Sequence, residues 1–211
     1  MASRSRARPP RSAPASRWSA TACASACAPP PAVETVSTGP DPALLDRQLR
    51  NYLGAYPERV QAQVRGLLLE DRLAEHLARK YPGKHAIQGD AALYDYVQGI
   101  KQAQLHSTPP VHKVLWQNKM DVIQNVLGLH TSISRVQGGR LKAKAEIRIA
   151  SLFKTLAPEF LEMVVVHELA HLREREHNKA FYQLCEHLLP DYHQIEFDLR
   201  LLLLQRAVAG A

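Results

Sequence analysis

Residues 164–177 read VVVHELAHLREREH. On a helix, positions four apart differ by about 40° in phase and about 6 Å in height, so His167 and His171 project from one face. That pair can hold one metal ion. Glu168, beside the first histidine, faces the side where water reaches the metal and fits the role of general base. Val164, Val165 and Val166 before the motif, and Leu169, Ala170 and Leu172 within it, make the helix a buried one. Two bare histidines and a glutamate on a buried helix are costly unless something satisfies them. Zinc does so, and imidazole ligands favour it. The competing reading is a helix that carries HExxH by chance.

A third ligand is needed. Glu174, Glu176, His177, Cys185, Glu186 and Asp191 follow the motif. In an unbroken helix His177 lies about 240° and about 9 Å beyond His171, on the wrong side. It reaches the metal only where the chain turns within residues 172–177. Polar LREREH permits such a turn, and HNKAFYQL then starts a new helix with His177 or Asn178 at its mouth. Glu174 and Glu176 read as solvated charges and Cys185 as a small core residue. Glu186 is the best rival, because zinc accepts carboxylates.

Outward from the motif, residues 158–173, 178–188 and about 191–207 read as helices. Toward the N-terminus, RLKAKAEIRIA (140–150) alternates apolar and charged residues. LHTSISRVQ (129–137) alternates around Ile133, with Gly138-Gly139 between the two stretches. This period of two around a glycine turn predicts an antiparallel β-hairpin, and VHKVLWQN (111–118) predicts a further strand. Apolar residues at spacings of three and four predict helices over 43–53 and 60–81, broken at Tyr56-Pro57. Another is predicted over 90–105, with Asp90 as its cap.

Residues 1–43 are rich in Ala, Ser, Arg and Pro and show neither period. They are read as a disordered tail or a start codon placed too early. A secretory signal over WSATACASACA (18–28) is disfavoured by its lack of a leucine run. Residues 44–211 then form one domain, with a helical extension over 44–108 and a catalytic part over 109–211.

The 211 residues carry 27 Lys and Arg against 20 Asp and Glu, a formal charge of +7. Residues 1–43 hold five arginines against Glu34 and Asp41. The body is therefore only mildly basic, which permits an anionic partner such as nucleic acid without arguing for one. Cys23, Cys27 and Cys185 make no disulfide framework and suit the reducing cytoplasm. No apolar run approaches the roughly 20 residues of a transmembrane helix, so no membrane partner is expected.

VVVHELAHLREREHNKAFYQLCEHLLPDY resembles the signature of the YgjP-like zinc metallopeptidase domain, which is related to the SprT-like and WLM zinc peptidases. The shared pattern is HELAHL, a short polar loop, H-x-K-x-F with a following aromatic, and a leucine-rich helix. His177, Lys179, Phe181 and Tyr182 stand in those places. The match is specific over about 145–192 and looser over 111–144. The block 43–106 reads as an extension of one branch. Where many relatives carry a W-G-S-C-like stretch, this chain has GLHTSISR (128–135). The metzincin spacing HExxHxxGxxH also matches, but Glu174 replaces its glycine.

The resemblance implies His167, His171 and His177 as zinc ligands and Glu168 as catalytic base. It implies an α+β, zincin-like fold with a helical N-terminal block, a small antiparallel sheet and the HExxH helix. It also implies hydrolysis of peptide bonds in a peptide or protein substrate. In such folds the sheet edge beside the active-site helix accepts an extended peptide. AEIRIAS (145–151), with Glu146, Ile147, Arg148 and Ile149, is the candidate edge, against an ordinary edge strand guarded by its charges.

The alternatives are a zinc-dependent nucleotide or phosphoester hydrolase, a DNA-associated protease of the SprT-like kind, and a non-catalytic module with structural zinc. Arg135, Arg140, Lys142 and Lys144 are the feature that favours the first, although such a run also reads as a solvated face. Tyr182, Tyr192 and His193 are candidate oxyanion donors that also read as packing or rim residues, and His130 reads as a surface residue.

Overall fold

The computed structural model describes residues 41–118 and 145–210. Helix α1 (Pro42–Leu53) opens it, with the Asp41 side chain accepting from the Ala43 amide at 3.0 Å. Pro57 separates it from α2 (Glu58–Leu69). The single helix expected over 60–81 is two, because Asp71 takes a left-handed φ of 52°. That reversal returns the Arg72 amide to the Leu67 carbonyl at 2.9 Å and launches α3 (Leu73–Lys80) in a new direction. Asp is one of the few side chains that tolerate this backbone region.

Helix α4 (Asp90–Gln104) is capped by Gly89 rather than Asp90. Asp90 is its first helical residue, and its carboxylate instead accepts the Trp116 amide at 3.0 Å. Gln98 donates to the Val111 carbonyl at 3.0 Å. Both bonds fasten α4 along strand β1 (Val111–Gln117).

Strand β2 (Ala145–Ala150) pairs with β1 in parallel, from Val111 opposite Ala145 to Gln117 opposite Ala150. The sheet is therefore parallel where an antiparallel one was expected. A parallel pair needs a long connection, and residues 118–144 separate the two strands in sequence. The expected hairpin's first strand and glycine turn lie outside the described residues; its second strand is β2. Alternation holds within β2: Ile147 and Ile149 are buried, while Glu146 and Arg148 are exposed and paired at 2.8 Å.

A 3-10 turn (Ser151–Thr155) leads to α5 (Pro158–Ala170), followed by α6 (Lys179–Leu188) and α7 (Tyr192–Ala209). Proline at the first turn suits the start of α5. Three successive valines are poor helix formers, so this helix owes its stability to packing. Phe160, Leu161, Met163, Val164, Val165, Val166 and Leu169 are all at most 1% exposed. The helix is enclosed by α4, α6, α7, β2 and the 3-10 turn.

Helix α7 joins two apolar clusters. Its first half packs into the core around α5, and Leu201 and Leu204 pack with Leu45, Leu49 and Leu53 of α1 and with α2 and α3. Asp198, 2% exposed, accepts from Lys80 Nζ at 2.5 Å, Tyr81 Oη at 2.6 Å and Gln194 Nε2 at 3.1 Å, and so ties the end of α3 to α7. Among the described residues no helix is long and apolar enough to cross a membrane.

Candidate metal centre

The last turn of α5 presents His167, 2% exposed, and the half-buried His171. The chain then turns as the geometry requires. The Arg173 and Glu174 amides both bond back to the Ala170 carbonyl, at 3.0 and 2.9 Å. Helix α6 restarts at Asn178, whose side chain caps the Phe181 amide at 3.0 Å. His177 immediately precedes this cap and swings back over α5.

His177 Nε2 lies 3.0 Å, and His171 Nε2 3.2 Å, from His167 Nε2. Tetrahedral zinc with bonds of about 2.0–2.1 Å sets its nitrogens about 3.3 Å apart. The three imidazoles therefore converge at the spacing one ion needs, and they are the group among the described residues able to hold a metal ion. Phe181 backs all three rings, with centroids 4.6–4.9 Å away.

For His171 the far side of the ring fixes which nitrogen is bare. His171 Nδ1 lies 3.0 Å from the Glu174 carbonyl, which only accepts, so a neutral His171 keeps its Nε2 lone pair for the centre. His167 Nδ1 lies 2.7 Å from the hydroxyl of Tyr192, a residue with no exposed surface. Burial, then the neighbouring His171 and His177, push His167 down to about 2. Burial likewise lowers His171, against the Glu174 carbonyl, and His177, against the charge of Glu196. Neutral imidazoles are the form that binds metal.

Glu168 keeps a little exposed surface while protein surrounds it, and this burial pushes its carboxyl up to about 7. A cation beside it draws that value back down. A carboxylate that titrates near neutrality is suited to taking and returning a proton.

The other candidates fall elsewhere. Glu186 is held by His193 at 3.3 Å, and His193 also faces Glu196 at 3.7 Å. Glu186 is thus outside the three-histidine cluster. Cys185 is a buried free thiol. Glu176 is exposed, and Glu174 contributes its carbonyl rather than its carboxylate. Tyr182 packs at the rim with its ring 6.3 Å from that of His177. Ile147 and Ile149 are core side chains. His130, Arg135, Arg140, Lys142 and Lys144 lie outside the described residues. Sequence reading treated Tyr192 as an oxyanion or packing candidate and missed its bond to His167. A tyrosine just after Pro190-Asp191 carries no signal that marks it as a ligand's partner.

No solved structure matches the chain. A curated relative from Escherichia coli (strain K12), named UTP pyrophosphatase, is 56% identical over 154 residues, which cover 73% of this chain and 92% of that protein. The model of the YgjP-like, metallopeptidase domain family matches residues 55–201. The match takes in most of the N-terminal helical block, all of β1 and β2, and the three histidines. A pyrophosphatase and a metallopeptidase differ in the bond they break and share the class of hydrolase. With its family model covering more than half of its length, the chain belongs to the YgjP-like metallopeptidase domain family.

Proposed function

We propose that this chain is a zinc-dependent hydrolase of a nucleoside triphosphate, with UTP as substrate and the phosphoanhydride linkage as the bond broken. The observation that carries this reading is the 56% identity to a UTP pyrophosphatase across 92% of that protein. The three converging imidazoles and the adjacent Glu168 support the hydrolytic part. His167, His171 and His177 hold the ion. Zinc, when bound, supplies Lewis acidity at a phosphoryl oxygen and at the attacking water. Glu168 takes a proton from that water as its oxygen bonds to the α-phosphorus. The bond from that phosphorus to the bridging oxygen breaks, and the proton passes to solvent or the departing pyrophosphate. UMP and pyrophosphate result. A buried thiol and a nucleotide substrate both fit the cytoplasm.

Peptide-bond hydrolysis is the second reading, favoured by the HExxH helix and the family description. In it, an extended peptide adds beside Glu146–Ile149 of β2, and Glu168 passes the proton to the leaving amine. One assay separates the two. Zinc-loaded protein is offered UTP, other nucleoside triphosphates and an unfolded protein, with pyrophosphate, phosphate and new amino termini measured. Pyrophosphate from UTP, abolished in Glu168→Gln with zinc retained, is the expected result. New amino termini without nucleotide turnover would instead establish the peptidase.

A further inference from the structure

The contact behind the centre carries a role beyond packing. Tyr192 Oη and His167 Nδ1 are 2.7 Å apart, both residues are at most 2% exposed, and they come from different helices, α7 and α5. Two proton arrangements are open. If Tyr192 donates to Nδ1, the His167 proton sits on Nε2, crowded between the Nε2 atoms of His171 and His177 at 3.2 and 3.0 Å. One N–H cannot point at both. If Nδ1–H donates to Tyr192, all three Nε2 lone pairs are left for the centre.

We propose that Tyr192 is a positioning residue for the metal ligand His167, accepting its Nδ1 proton so that Nε2 stays bare and aimed at the other two imidazoles. The inference rests on the three-histidine metal reading. It also makes α6 and α7 contributors to the centre: α6 through the cap that follows His177, α7 through Tyr192.

The test is zinc affinity by competition with a chromophoric chelator, together with long-range 1H–15N spectra of the histidine rings in metal-free protein. Tyr192→Phe keeps the ring and removes the hydroxyl; its affinity is expected to fall about ten- to a hundredfold, the usual loss for a ligand's hydrogen-bond partner. The wild-type spectrum should show the His167 proton on Nδ1. Zinc bound equally well by wild type and a folded Tyr192→Phe would overturn the inference and leave the metal site standing. Absence of zinc binding in wild type would overturn the metal reading itself. If Tyr192→Phe does not fold, the wild-type spectrum decides: a His167 proton on Nδ1 supports the inference, and one on Nε2 would refute it.

Discussion

Asn178→Ala isolates the device that brings the third histidine to the centre. Asn178 has φ −90° and ψ −178°, and its side chain accepts the Phe181 amide at 3.0 Å. The residue is exposed, so truncation removes the cap with little loss of packing. Loss of such a cap costs about 1 kcal/mol, within a range of about 0.5–2. For a domain of this size that lowers the melting temperature of metal-free protein by about 2–4 °C. His177 stands one residue before the cap. If the whole of that cost falls on its placement, zinc affinity drops by up to about fivefold. Asn178→Asp keeps an acceptor and adds a charge favourable at a helix N-terminus, so it should match wild type in both measurements. The assays are thermal unfolding with chelator and zinc titration of the same three proteins. An alanine variant that melts and binds as wild type, or an aspartate variant as weak as alanine, would refute the capping argument.

The pH dependence of metal-free stability has two opposed contributions. His167 falls from 6.5 in the unfolded chain to about 2 when folded, so acidification below pH 6.5 favours the unfolded state by about 1.4 kcal/mol per pH unit. Glu168 rises from 4.5 to about 7, so between those values the folded state takes up the proton and stability rises as pH falls. Urea unfolding from pH 6.5 to 4.5 should therefore show a steeper loss on acidification in Glu168→Gln than in wild type, and the reverse order would contradict the burial of Glu168. Asp198→Ala removes the acceptor shared by Lys80, Tyr81 and Gln194. Because Lys80 is 39% exposed, the loss is expected at about 2–3 kcal/mol rather than the larger cost of stranding a fully buried charge. A denaturation midpoint unchanged from wild type would show that α3 is held to α7 by apolar contact alone.

Most of the helices and the three-histidine cluster were legible in the sequence because their signals are local. HELAH fixes a spacing on one helix face, and HNK marks the restart of a helix that carries His177 back. The strand pairing was not legible. Alternation in RLKAKAEIRIA identifies a strand but not its neighbour, and the glycine pair at 138–139 points to a local partner. The pairing of β2 with Val111–Gln117 depends on a crossover that no residue of β2 encodes. Asp90 shows a similar limit: an acid at a helix start reads as a cap, whereas its carboxylate serves Trp116 of β1. The link from His167 to Tyr192 joins residues 25 apart through tertiary packing. The bond that is cleaved is not written in HExxH at all, since the motif builds a hydrolytic centre and says nothing of the group that enters it.

The most direct test of the three-histidine centre is elemental analysis of the purified protein beside His177→Ala. The account predicts about one zinc per wild-type chain, bound through three imidazoles, and its loss in the variant. A wild-type protein that holds no metal after zinc is supplied, or a variant that holds it as firmly, would contradict the centre described above.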